Sequence, residues 1–326
     1  MNGAPRAGAR TVALGGGHGL AATLQALRRV TDDITAIVGV SDDGGSSGRL
    51  RREFGVIPPG DLRMALAALC GDDAWGRTWA RVVQHRFGGD GELSGHALGN
   101  LLIAGLWEHT DDIVTGLAWV AELLDAHGRV LPLANQPLDI VAEVAGLEAG
   151  DPGAVVEVRG QVAVARTLGA VQRVRLEPEG VAPCTQSLVA VAEADALIMG
   201  PGSWYTSVMP HLMLPGMREA IADSRARRIC VLNLAPQAGE TRHFELHTHL
   251  EVLHEFAPEI RFDVVLAERA VVRDLPALMA SAKAVGAVVE VVEVADPSAP
   301  EQHSPDLLAA AFRQLLPARS ADPMAG

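Results

Sequence analysis

The stretch TVALGGGHGLAATLQALRRVTDDITAIVGVSDDGGSSGRL, residues 11–50, decides the fold. Residues 11–14 are a short apolar run that enters Gly15-Gly16-Gly17-His18-Gly19, after which Leu20, Thr23, Leu24 and Leu27 recur at helical spacing. A second run, residues 34–40, is rich in β-branched side chains and ends in Ser41-Asp42-Asp43-Gly44-Gly45-Ser46-Ser47-Gly48. Strand, glycine loop, helix, strand, loop is a βαβ pattern. It predicts an α/β protein with a mostly parallel sheet covered by helices and a right-handed crossover.

Working outward, residues 61–127 read as helices, with Leu62, Leu66 and Leu69 on one stripe and Leu98, Leu101, Leu102 and Leu106 on another. Residues 130–178 change character. Runs at 154–158 and 161–165 alternate or are β-branched, so a β-rich insertion of hairpins is expected there. A helix after Gln186 leads to a buried strand at 196–199, and further strands are expected at 228–232, 262–266 and 287–294. One domain over residues 11–317 follows, with a disordered tail at 1–10 and a frayed one at 318–326.

Of the 326 residues, 48% are apolar and 21% charged, and mean hydropathy is +0.18, enough for a sizeable core. Aromatics are only 4%, so that core rests on Val, Leu, Ile and Ala. Net charge is −13, which argues against a nucleic-acid partner. Cys70, Cys184 and Cys230 lie far apart without metal-ligand spacing. No signal peptide and no apolar run of membrane-spanning length is visible, so a cytoplasmic protein with no membrane partner is expected. A homo-oligomer remains open.

Ligands of open α/β sheets sit at the carboxyl ends of the strands. Four glycine-rich or polar segments leave strand ends here: 15–19, 42–48, 200–203 and 233–240. Gly15, Gly16, Gly17, His18 and Gly19 offer close backbone approach and free amides to a phosphate, or form a tight turn with no ligand. The loop is neither Gly-x-Gly-x-x-Gly nor a Walker sequence. Asp42 and Asp43 could hold Mg²⁺ or meet a hydroxyl. Gly44, Gly45, Ser46 and Ser47 could meet a phosphate with amides and hydroxyls, and Arg49 with paired bonds. A solvated acidic turn capped by serines is the alternative.

Asp61 reads as the N-cap of its helix, with Arg63 two residues on. His96 and Asn100, four apart, would share a helical face. Gly200, Pro201, Gly202 and Ser203 resemble a phosphate-binding turn rather than a hydrolase elbow, and Ser203, Thr206 and Ser207 would donate hydrogen bonds. His243 and His247 stand at helical spacing, with His249 and His254 beyond. They lack the glutamate of a zinc-protease motif and read as a polar rim.

Six ordered segments carry a resemblance: 15–19, 41–50, 58–63, 95–100, 200–207 and 233–241. Together they resemble the gluconeogenesis factor (CofD-like) family, from about residue 11 to about residue 316. The resemblance implies a Rossmann-like three-layer αβα fold and kinship to 2-phospho-L-lactate transferase, which makes a phosphodiester link in coenzyme F420 biosynthesis. The gluconeogenesis-factor branch is associated with cell shape, growth on gluconeogenic carbon sources and UDP-sugars. On that likeness the nucleotide-sugar ligand set extends to Tyr205, Asn233, Gln237, Glu240 and Thr241. In an enzyme, Asp42, Asp43 and His96 would be catalytic. His18, Ala235 and Ala238 replace the Thr, Thr and Pro usual in such sequences. Gln302 replaces an Arg, which removes a fixed cation. A dinucleotide oxidoreductase is disfavoured by the missing sixth-position glycine.

Overall fold

The computed structural model describes residues 8–148, 150, 151, 153–237 and 239–318. The tails expected at 1–10 and 318–326 fall mostly outside the described residues. The strands are β1 (Thr11–Gly15), β2 (Ile34–Val38), β3 (Arg129–Pro132), β4 (Asp139–Ala145), β5 (Val155–Arg159), β6 (Ala170–Glu177), β7 (Ala196–Met199), β8 (Arg227–Val231), β9 (Val264–Glu268), β10 (Val288–Val292), β11 (Ala295–Asp296) and β12 (Ala299–His303). The helices are α1 (Gly17–Leu27), α2 (Gly45–Phe54), α3 (Pro59–Leu69), α4 (Ala74–Gln84), α5 (Leu98–Thr110), α6 (Ile113–Leu123), α7 (Gln161–Ala165), α8 (Thr185–Glu193), α9 (Pro210–Met213), α10 (Pro215–Asp223), α11 (Leu246–Phe256), α12 (Leu275–Ala284) and α13 (Pro305–Leu315).

Seven parallel strands form one sheet in the order β10-β9-β8-β7-β1-β2-β3. Every residue of β1, β2, β7 and β9 is buried, which is why these strands read as unbroken apolar runs. The chain moves outward in one direction from β1 and in the other from β7. Right-handed crossovers therefore put helices on both faces. α1 packs with α3 and α13, while α8 packs with α10 and α11 with α12. This is the expected three-layer Rossmann-like α/β architecture, with its topological switch point between β1 and β7.

The two glycine turns leave that switch point at one level. Leu14 pairs in register with Met199, and the Gly200 amide donates to Leu14 O. Gly19 must lack a side chain, because a Cβ there would collide with the Pro201 carbonyl.

Three expectations need correction. The β-rich insertion is a three-stranded antiparallel sheet, β5-β4-β6, but β3, at the start of the stretch assigned to it, is the edge strand of the main sheet. Residues 161–165 are not a strand; they form α7. A hairpin, β11-β12, follows the last sheet strand and was not anticipated. It brings α13 back across the fold onto α1.

Candidate functional site

α1 opens at the switch point with Gly16 as N-cap, a residue with no side chain to cap the helix, and the Asp61 carboxylate takes the Gly17 amide. Asp61 does not cap α3. Pro58 takes that position, Pro59 presets the first helical turn, and Asp61 lies inside the helix. Its carboxylate instead turns toward α1: Asp61 Oδ2 stands 2.5 Å from where a Gly16 Cβ would be. Burial, and then the charge of Asp42, push Asp61 up from 3.8 to about 7, while the Gly17 amide and Arg63 oppose the rise.

Arg63 shares this corner. Its side chain is buried (4 % exposed), and its Nε and Nη1 have no hydrogen-bond partner. Burial, then the charge of Arg86, lower it to about 10. A desolvated guanidinium with idle donors is costly until an anion meets it.

Asp42 and Asp43 part company. Asp42 Oδ1 accepts the Gly44 amide at 2.9 Å, and its Oδ2 stands 2.8 Å from where a Gly60 Cβ would be, beside Ser47 and near Asp61. Asp43 turns outward to the insertion and accepts the Val162 amide at 3.0 Å. It thereby caps α7, whose own N-cap residue is Gly160. The carboxylate pair at the rim is therefore Asp42 with Asp61, not Asp42 with Asp43. No cluster of three or more metal-ligating side chains occurs among the described residues. Asp42, beside the candidate phosphate-binding turns, nonetheless suits Mg²⁺, which takes few protein ligands and completes its shell with phosphate oxygens and water. Asp43→Ala is expected to cost about 1–2 kcal/mol, the usual value of a helix cap, measurable by urea unfolding.

Ser46 Oγ is a buried hub. Asn100 Nδ2 donates to it at 3.0 Å and the Ala97 amide at 3.3 Å, while His96 Nδ1 lies 3.0 Å away. Both lone pairs are used, so the hydroxyl hydrogen points to His96 Nδ1 and the imidazole proton sits on Nε2. Burial, then Arg49, lower the His96 pKa. His96 and Asn100 do meet, but not as expected: α5 begins at Leu98, and Ser46 joins the two residues rather than a common helical face. Asn100 Oδ1 is buried without a partner. Arg49 donates to the carbonyls of Glu92 and Ser94 and so pins the loop that carries His96.

The second glycine turn is braced by the loop after β8. Asn233 Oδ1 accepts the Gly202 amide at 2.9 Å, and its Nδ2 returns a bond to Gly202 O at 2.8 Å. Gln237 accepts the Trp204 amide and donates to Ser203 Oγ, and its own amide donates to Thr241 Oγ1. Glu240 accepts the Tyr205 amide at 2.7 Å and the Thr206 hydroxyl at 2.6 Å. These bonds hold the single π-helical turn Trp204–Val208, so Ser203, Thr206 and Glu240 serve as framework. Ser207 lies under Gly16 and Gly202.

A cleft of about 630 Å³ runs from His18 and Gly19 past Gly202 and Asn233 to Gln302 and His303. Its far wall, with Asp296 and Glu301, is the hairpin that the sequence reading missed. Burial lowers His303 to about 4, opposed by the Leu232 carbonyl and Glu268. The histidine group disperses. α11 begins at Leu246, so His243 lies in the preceding turn and shares no helical face with His247, and His249 is buried.

A family model described as 2-phospho-L-lactate transferase CofD matches residues 11–297. A Mycobacterium tuberculosis protein, provisionally named a gluconeogenesis factor, is 50% identical over 302 residues, 92% of this chain and 88% of that protein. A Listeria innocua gluconeogenesis factor is 38% identical over 260 residues, 79% of this chain and 76% of its own. A crystal structure of a UPF0052-family protein from Bacillus halodurans superposes with a TM-score of 0.82 at 33% identity, covering 93% of this chain and 97% of that one.

Proposed function

The chain belongs to the CofD family, and on that premise we propose that it binds a nucleotide-sugar at the switch point between β1 and β7, as a gluconeogenesis factor linked to cell shape and growth on gluconeogenic carbon sources. The diphosphate lies over the α1 amides and the Gly202 turn, beside Arg63. The observation that carries this reading is the buried Arg63 guanidinium with two unpartnered donors, in the same corner as Asp61 and the α1 start whose N-cap is a glycine. No helix among the described residues is long and apolar enough to cross a membrane, and the proposal places this binding in the cytoplasm.

Calorimetric titration with UDP-N-acetylglucosamine tests it. The wild type should bind. Arg63→Met should bind about ten- to a hundredfold more weakly, the value of one charge-assisted hydrogen-bonded contact. No heat with the wild type at millimolar ligand removes this ligand from the account.

One observation favours a second reading, a phospholactate-type transferase. Asp61 is held near neutrality, where a general base works best. Asp61 would take the proton of an acceptor hydroxyl, and Arg63 would hold a phosphate. Mg²⁺ on Asp42 would neutralise diphosphate charge. Turnover of a guanylated phospholactate with a deazaflavin acceptor, lost in Asp61→Asn, would support it; no turnover with Mg²⁺ present rules it out.

A further inference from the structure

Beside the cleft lies a second cavity of about 270 Å³. The turn carrying Asn233, Leu234 and Pro236 lines both. The cleft's far wall is polar and acidic, with Asp296, Glu301 and Gln302, chemistry suited to sugar hydroxyls. The second cavity is mixed: Leu234, Phe244 and Val271 give it apolar wall, Arg242, Glu245 and Arg273 put charges on its lining, and His249 supplies an uncharged polar group.

His249 is only 2 % exposed and is fixed edge-on between two rings, 5.0 Å from Trp204 and 5.2 Å from Phe244. Its Nδ1 lies 3.2 Å from Glu245 O, which can only accept. The proton is therefore on Nδ1, and Nε2 carries a bare lone pair. That Nε2 is buried and has no partner. Burial lowers His249 to about 4, so the ring stays neutral at physiological pH. An unsatisfied buried acceptor in an aromatic cluster beside a cavity calls for a flat ligand that brings an N–H.

We propose that this cavity receives the base of the nucleotide whose diphosphate lies at the glycine turns, with His249 Nε2 accepting a hydrogen bond from a ring or exocyclic N–H. The assignment rests on the nucleotide reading of the rim. It fixes the ligand's direction: the base lies toward α11, the diphosphate crosses at Gly202 and Asn233, and the sugar lies toward the hairpin.

The full chain is titrated with inorganic pyrophosphate, UDP and GDP as wild type, His249→Phe and Val271→Trp. His249→Phe keeps the ring but loses the acceptor. Val271→Trp, at a half-buried position, fills the cavity without touching the rim. Pyrophosphate should bind all three alike, and the wild type should bind at least one nucleoside diphosphate more tightly than pyrophosphate. That nucleotide should weaken about tenfold in His249→Phe and further in Val271→Trp. Unchanged nucleotide affinity in both variants, or nucleotides binding the wild type no better than pyrophosphate, overturns the base assignment while the rim reading stands. A wild type that binds no pyrophosphate overturns the rim reading, and the base assignment falls with it.

Discussion

Asn in place of Asp61 is expected to make the protein more stable at pH 8, and the advantage should grow by about 2 kcal/mol between pH 5 and pH 8. The sign follows from the proton count. Asp61 titrates near 7 in the folded chain against an ordinary 3.8, so between these values the folded state keeps a proton that the unfolded chain has released. Stability from this group is intact below about pH 4 and is lost as pH rises toward 7. The full span of the shift corresponds to about 4 kcal/mol, an upper figure because Asp61 retains some solvent access. Asn offers an acceptor to the Gly17 amide and removes the charge opposed by Asp42. Urea unfolding of both proteins at the two pH values measures the gap, and a gap independent of pH would refute the account. Phosphate affinity of the wild type should also fall as pH passes 7, since an ionised Asp61 repels the anion, and the variant should lose that dependence.

Removing the Glu240 carboxylate should cost about 3–5 kcal/mol in Glu240→Ala. The Tyr205 amide and the Thr206 hydroxyl, both buried, would lose their acceptor, at about 1–3 kcal/mol each, and a cavity would add to the loss. Burial raises the Glu240 pKa, and the Thr206 and Tyr205 donors hold it back. Glu240→Gln keeps the shape and one acceptor, so it should lose about half as much. Thermal unfolding should place the Ala variant roughly 10 °C below the wild type. Equal melting of the Ala variant and the wild type would show that the π-helical turn holds itself without this brace.

The central sheet was legible because strands buried on both faces leave apolar runs with no alternation, and glycine turns mark their ends. Residues 161–165 were not: Val162 and Val164 alternate, and α7 depends on a cap from Asp43, far away in sequence. Asp61 was misplaced because Pro58 and Pro59 set the helix start upstream of it. The residues of 200–207 and 233–241 were rightly expected to converge, but the sequence does not say that they bond one another. Side-chain pairing of that kind depends on tertiary distance, which residue type does not encode. The hairpin escaped notice because Pro297, Ser298 and Pro300 read as a loop and its second strand is mostly exposed.

The return of the chain over α1 has a consequence for biosynthesis. β1, β2 and β7 can assemble while later segments are still being made, yet one bank of the cleft is the hairpin, emitted almost last. A nascent chain on the ribosome thus displays both glycine turns well before it can enclose anything, and a translation product stopped ahead of residue 295 would lack both the hairpin and α13, leaving α1 and one bank of the cleft uncovered.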